Sequence, residues 1–140
     1  MAVDTSAGFR FRGRVSKMPP TIQTLTIKDT ETLTKGDLVN LESGEIDLAA
    51  TNDNALLGVV LNTAAGTDST TTYEVIVDAD AIYGVYDASA RVKGATLDIS
   101  GTTGAMTVTT SSNADVTVYA PSTADEETLV MITHGEHADN

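Results

Sequence analysis

Apolar residues in this chain recur at every second position, and that spacing narrows its possible folds more than any other feature. Tyr73, Val75, Val77, Ala79 and Ala81 alternate with Glu74, Ile76, Asp78, Asp80 and Ile82, as in a strand buried mainly on one face. Met106 and Val108 alternate with Thr107 and Thr109, Val116 and Val118 with Thr117 and Tyr119, and Leu25 and Ile27 with Thr24 and Thr26. Leu56 to Leu61 and Leu129 to Ile132 are continuous apolar runs of strand length, which suits burial on both faces. Threonine fills much of the polar register, a β-branched choice for a half-wet pleated surface.

The turn chemistry agrees. Leu41-Glu42-Ser43-Gly44-Glu45-Ile46 reads as a tight hairpin, with Gly44 supplying positive φ, and Ser100-Gly101-Thr102-Thr103-Gly104 as a longer hairpin loop. Lys35-Gly36-Asp37 and Asn113-Ala114-Asp115 are further punctuation. The stretch from Asp78 to Ala90 is the best place for a helical turn, although Gly84 and the Tyr83/Val85 alternation oppose a long one. About eight short strands predict an all-β sandwich or barrel. At 140 residues the chain suits one domain, large enough to bury roughly two-thirds of its unfolded surface without staples.

Charge divides the chain unevenly. Eight Lys and Arg face twenty Asp and Glu, a net charge of −12. Arg10, Arg12, Arg14 and Lys17 are half of the cations, whereas from Gly36 onward only Arg91 and Lys93 oppose seventeen acids. Residues 1–20 are therefore expected to be an extended basic arm, jointed at Met18-Pro19-Pro20, where proline removes backbone donors. Residues 21–133 are expected to be the β-domain, and residues 134–140 a polar flexible tail. Met1 to Lys17 lack the apolar run of a signal peptide, and no apolar stretch is long enough to span a membrane, so neither export nor a membrane partner is expected. An acidic chain with no Trp and few aromatics argues against nucleic acid as a partner.

The residues that could carry chemistry read as bland. Absence of cysteine excludes thiol chemistry and thiolate metal sites. Asp78, Asp80 and Asp87 fail a calcium-loop template, because Ile82 and Tyr83 stand where an oxygen ligand and a glycine belong. Alternation instead places Asp78 and Asp80 on a solvated acidic face. Asn52-Asp53-Asn54 reads as a turn. His134 and His137, the only histidines, lie beside Gly135 in the tail, which spoils the helical alignment a metal pair needs. No nucleophile elbow, phosphate loop or dinucleotide fingerprint occurs. The expectation is a protein without catalytic residues, metal or cofactor, and not an enzyme.

Phe9-Arg10-Phe11-Arg12-Gly13-Arg14 is different. In extended geometry Phe9 and Phe11 share one side and Arg10 and Arg12 the other. Such a ribbon can add to a partner's sheet edge, its aromatics anchored and its arginines on carboxylates. Phe9, Arg10, Phe11, Arg12 and Arg14 are the candidate partner-contact residues.

The order Lys35-Gly36-Asp37-Leu38-Val39, Leu57-Gly58-Val59-Val60-Leu61 and Tyr73-Glu74-Val75-Ile76-Val77 resembles the capsid decoration (cement) proteins of tailed bacteriophages. Val92-Lys93-Gly94-Ala95-Thr96-Leu97 and Thr128-Leu129-Val130-Met131-Ile132 fit the same plan. The resemblance spans about Lys28 to Thr133. It implies a small tulip-like β-domain that binds the outside of the phage head. It implies homotrimers at three-fold sites bridging neighbouring major capsid subunits, with the arm as tether. The protein would be made in the host cytoplasm and end on the outer capsid surface. The alternatives are another virion β-protein (head fibre base, tail tube or tail tip) and a glycan-binding surface module.

Overall fold

The structure, a computed structural model, describes residues 8–28, 32–49, 56–62, 71–110 and 114–133. Among these residues the chain is all-β, as the alternation predicts, with eleven strands rather than eight. They are β1 (Arg10–Arg14), β2 (Ile22–Thr26), β3 (Leu38–Glu42), β4 (Glu45–Leu48), β5 (Leu56–Val59) and β6 (Thr72–Ile76). There follow β7 (Ala81–Asp87), β8 (Thr96–Ser100), β9 (Thr107–Thr110), β10 (Val116–Ala120) and β11 (Glu126–Ile132).

Six strands make one sheet in the order β1-β7-β11-β10-β8-β9. The other five close on themselves. β2 pairs with β6, and β4-β3-β5 form a second ladder. An antiparallel bridge between Val60 and Val75 joins β5 to β6, and a parallel bridge between Ile27 and Ile46 joins β2 to β4. The result is a small five-stranded ring beside a six-stranded sheet.

Period-two patterning sorts side chains between two cores. Ile27, Val39, Ile46, Leu57, Val60, Tyr73 and Val75 fill the ring. Leu38, Leu56, Val59 and Ile76 belong instead to the layer under the six-stranded sheet, with Tyr83, Val85, Leu97, Ile99, Val116, Val118 and Val130. β3 and β5 feed both cores, which is why Leu56–Val59 is continuously apolar. Leu129 to Ile132 behaves otherwise: only Val130 is fully buried there, so β11 is a one-faced strand.

The resemblance-bearing motifs have local structural reasons. Gly58 sits where β5 runs hard against the Ile76 carbonyl; a Cβ there would lie 1.6 Å from that oxygen. Asp37 is fully buried and accepts the Thr34 N–H at 2.8 Å, the Gly104 N–H at 2.9 Å and the Thr103 hydroxyl. One carboxylate thereby ties the β3 entry to the β8–β9 loop. The β3–β4 hairpin forms as expected, with Ser43 and Gly44 both at positive φ, the primed turn that matches strand twist.

Two expectations change. The helical turn expected within Asp78 to Ala90 is β7, whose Ala81, Ile82, Tyr83 and Val85 are all buried between β1 and β11. Gly84 and the Tyr83/Val85 alternation, which oppose a helix, agree with this strand, and pairing on both sides holds it. Residues 8–20 also do not stand off from the body as an arm. The Gly8 N–H donates to the Met106 carbonyl and the Phe9 N–H to Gly36, both at 2.8 Å, and β1 pairs antiparallel with β7. The polar tail, residues 134–140, lies outside the described residues.

Candidate interaction site

Four of the five sequence-predicted contact residues lie on β1 and Phe9 immediately precedes it, but most of their contacts are internal. Phe9 and Phe11 do share a side, the core side. Phe9 is 2% exposed, and Phe11 meets Tyr83 edge-on at 6.5 Å between ring centroids. Phe9 therefore has no surface to offer a partner while β1 is docked. Burial pushes the Tyr83 phenol well above its ordinary pKa, with the charge of Asp78 adding to it. Arg10 is half-buried opposite Gly84. Arg12 is the extra residue of a bulge, since Phe11 pairs with Tyr83 and Gly13 with Ile82. It forms a two-pronged ion pair with Glu127, both contacts at 2.8 Å. Glu127 crosses Gly84 to get there: a Cβ on that glycine would fall 2.3 Å from its carboxyl carbon.

Arg14 is the most engaged. Its Nε lies 2.6 Å from Asp80 Oδ1, and one Nη lies 3.3 Å from Asp78 and 3.2 Å from the Pro19 carbonyl. The expectation of a solvated acidic face is overturned here, for Asp78 is 4% exposed and Asp80 is half-buried. The chain turns between β6 and β7 at these residues, and both carboxylates close over the β1–β2 connection. Asp80 also accepts the Ser16 N–H at 2.9 Å, and Asp78 accepts the Thr21 N–H at 2.7 Å. Partial burial raises the Asp80 carboxyl, but hydrogen bonds from Arg14 and Ser16 and the nearby guanidinium outweigh it. Its pKa falls from 3.8 to about 2. The arginines expected to meet a partner's carboxylates meet the chain's own, because those acids are already within reach.

That clasp produces the surface which sequence reasoning missed. The Ser16 and Thr21 N–H groups are bound to the two carboxylates and the Pro19 carbonyl to Arg14, and apolar side chains are left outside. Val15 is 49% exposed, Met18 60% and Ile22 45%, three of the five large exposed apolar residues among those described. Lys17, held at φ 64°, makes no ion pair among the described residues. A connection with outward apolar groups on a pinned backbone is pre-organised for contact. The available signal was compositional: Val15, Met18, Pro19, Pro20 and Ile22 are unusually apolar for a strand connection.

A second clasp closes the far end of β7. Arg91 Nε lies 2.6 Å from Asp87 Oδ2, and Asp87 also accepts the Ser89 N–H at 3.0 Å. Arg91 and Ser122 exchange backbone hydrogen bonds, and the turn that follows leaves Val92 70% exposed. Nearby the Tyr86 hydroxyl donates to Asp125 at 2.9 Å, which raises the phenol's pKa.

Among the described residues no three His, Asp or Glu side chains converge as metal ligands, and no helix is long and apolar enough to cross a membrane. His134, His137 and Asn52-Asp53-Asn54 lie outside the described residues. No family model and no curated protein matches the chain.

Proposed function

We propose that this protein is a non-enzymatic structural component of a phage virion. In this reading it binds the outside of the head as trimers at three-fold sites and bridges neighbouring major capsid subunits. The family resemblance supplies the setting. The observation that carries the binding role is the clasped connection, whose Val15, Met18 and Ile22 face outward from a backbone fixed by Arg14, Asp78 and Asp80. A rigid apolar patch loses little entropy on docking, and many copies on one shell add their modest contacts. The net charge of −12 suits a protein that must stay soluble at high copy number.

The arm model changes accordingly. Phe9 and Arg14 act by building the surface, and Arg12 and its neighbours frame it. The test is co-sedimentation of the purified protein with undecorated heads of its own phage, with stoichiometry read by gel. Saturable binding near three copies per three-fold site is expected, weakened about tenfold or more by Met18→Ser with Ile22→Thr. Absence of head binding removes the capsid reading and directs the search to tails, fibres and glycans.

A further inference from the structure

Among the described residues, β2 presents an edge that no other strand guards along its first half. The six-stranded sheet protects its own two edges: β1 by the Arg12 bulge and its charges, β9 by being only four residues long. β2 pairs with β6 on one side through Ile22↔Ile76, Gln23↔Val75, Thr24↔Glu74 and Leu25↔Tyr73. On its other side the bridge to β4 falls at Ile27↔Ile46, beyond the end of the strand, and β4 begins only at Glu45. The first half of β2 runs past the β3–β4 hairpin, and among the described residues nothing pairs with its outer side. Ile22, Gln23 and Thr24 are all exposed. Every second residue of an edge strand directs its N–H and C=O outward.

The electrostatics select the occupant. Residues 8–28 contain Arg10, Arg12, Arg14, Lys17 and Lys28 and not one acid, in a chain with twenty. Acids from other elements answer Arg12, Arg14 and Lys28. Lys17, beside Met18 on the approach to β2, has no such answer among the described residues. We infer that the open edge of β2, with Val15, Met18 and Lys17, accepts an extended strand from another protein. That strand is apolar at alternate positions and carries a carboxylate opposite Lys17. Backbone pairing supplies the binding, Val15, Met18 and Ile22 supply side-chain contact, and the lysine sets the preference for an acid. The inference holds whether or not the partner is a capsid.

The test uses the full chain, isotopically labelled, with a capped synthetic strand of alternating valine and threonine carrying one central aspartate. An otherwise identical strand with lysine in its place is the control. Titration to millimolar peptide, read by amide shifts and hydrogen exchange, is expected to protect amides between Ile22 and Leu25. The aspartate strand should bind several-fold tighter, Lys17→Glu should reverse that order, and Ile22→Asp should abolish binding. Protection at β1 or β9, no protection anywhere, or an order unchanged by Lys17→Glu overturns the inference. Concentration-dependent dimers of the free protein that vanish in Ile22→Asp also overturn it, by assigning the edge to a second copy. No head is present in this experiment, so failure of head binding leaves it standing. Heads that bind Ile22→Asp as well as the unaltered protein leave the capsid reading standing but move the contact elsewhere.

Discussion

β7 has an arginine–aspartate clasp at each end, made of the same chemical pair and similarly buried. The side chains of Arg14 and Arg91 are 16% and 15% exposed. Arg14 reaches Asp80 across 66 positions of sequence and holds β1 and the β1–β2 connection to the start of β7. Arg91 reaches Asp87 four positions back and shapes the turn that leaves the strand. One pair joins elements far apart in sequence, whereas the other joins a strand to the turn that follows it. The same contact distance, 2.6 Å in each, says nothing about which part of the molecule depends on it.

The sharpest way to break this comparison is Arg14→Met. It leaves Asp78 buried without its cation, and the expected loss is about 3–5 kcal/mol, with the whole chain melting earlier and β1 open to protease. Arg91→Met should cost less, about 1–3 kcal/mol, because Arg91 fastens only the turn after β7, whose opening lets water reach Asp87, and faster amide exchange should stay within residues 87–95. Equal losses from the two, measured by denaturant titration, would abolish the distinction between tertiary and local clasps.

Acid should separate them as well. The folded pKa of Asp80 lies below its usual value, so its contribution is complete above about pH 4 and is lost as pH falls towards 2. Thermal melts should therefore fall more steeply over that range in the unaltered protein than in Arg14→Met. The smallest effects belong to the half-exposed Arg12–Glu127 pair, which links β1 to β11 across Gly84. Arg12→Ala and Gly84→Ala, the second of which displaces Glu127, should each cost at most about 1 kcal/mol. A larger loss from Arg12→Ala would make the outer pair, rather than the Arg14 clasp, the fastening of β1.

The same contrast explains what could be read in the sequence. Alternation identified the faces of β6, β9 and β10, and the primed turn at Ser43-Gly44 needs only its own two residues. Asp78 was misread because alternation tells which side chains share a face, not what covers that face. Its cover is Arg14 and the Thr21 amide, 64 and 57 positions away, and nothing near Asp78 encodes them. The arm was misread for the same reason: the basic run is visible, while the strand that receives it comes about half the chain's length later. The Val15, Met18 and Ile22 surface followed from neither periodicity nor charge. It exists because the connection between β1 and β2 is pinned to the clasp at Ser16, Pro19 and Thr21.

The long reach of Arg14 also sets an order of events. A ribosome releases β1 first, yet β7 and the two aspartates emerge only after some 66 further residues. Until then Phe9 and Phe11 have no core to enter and the arginines have no carboxylates to meet. The strand made earliest is thus among the last to settle, and its arrival covers the free side of β7. Completion of the sheet is postponed until the distant aspartates have been made, and a nascent chain interrupted before Asp78 cannot close it.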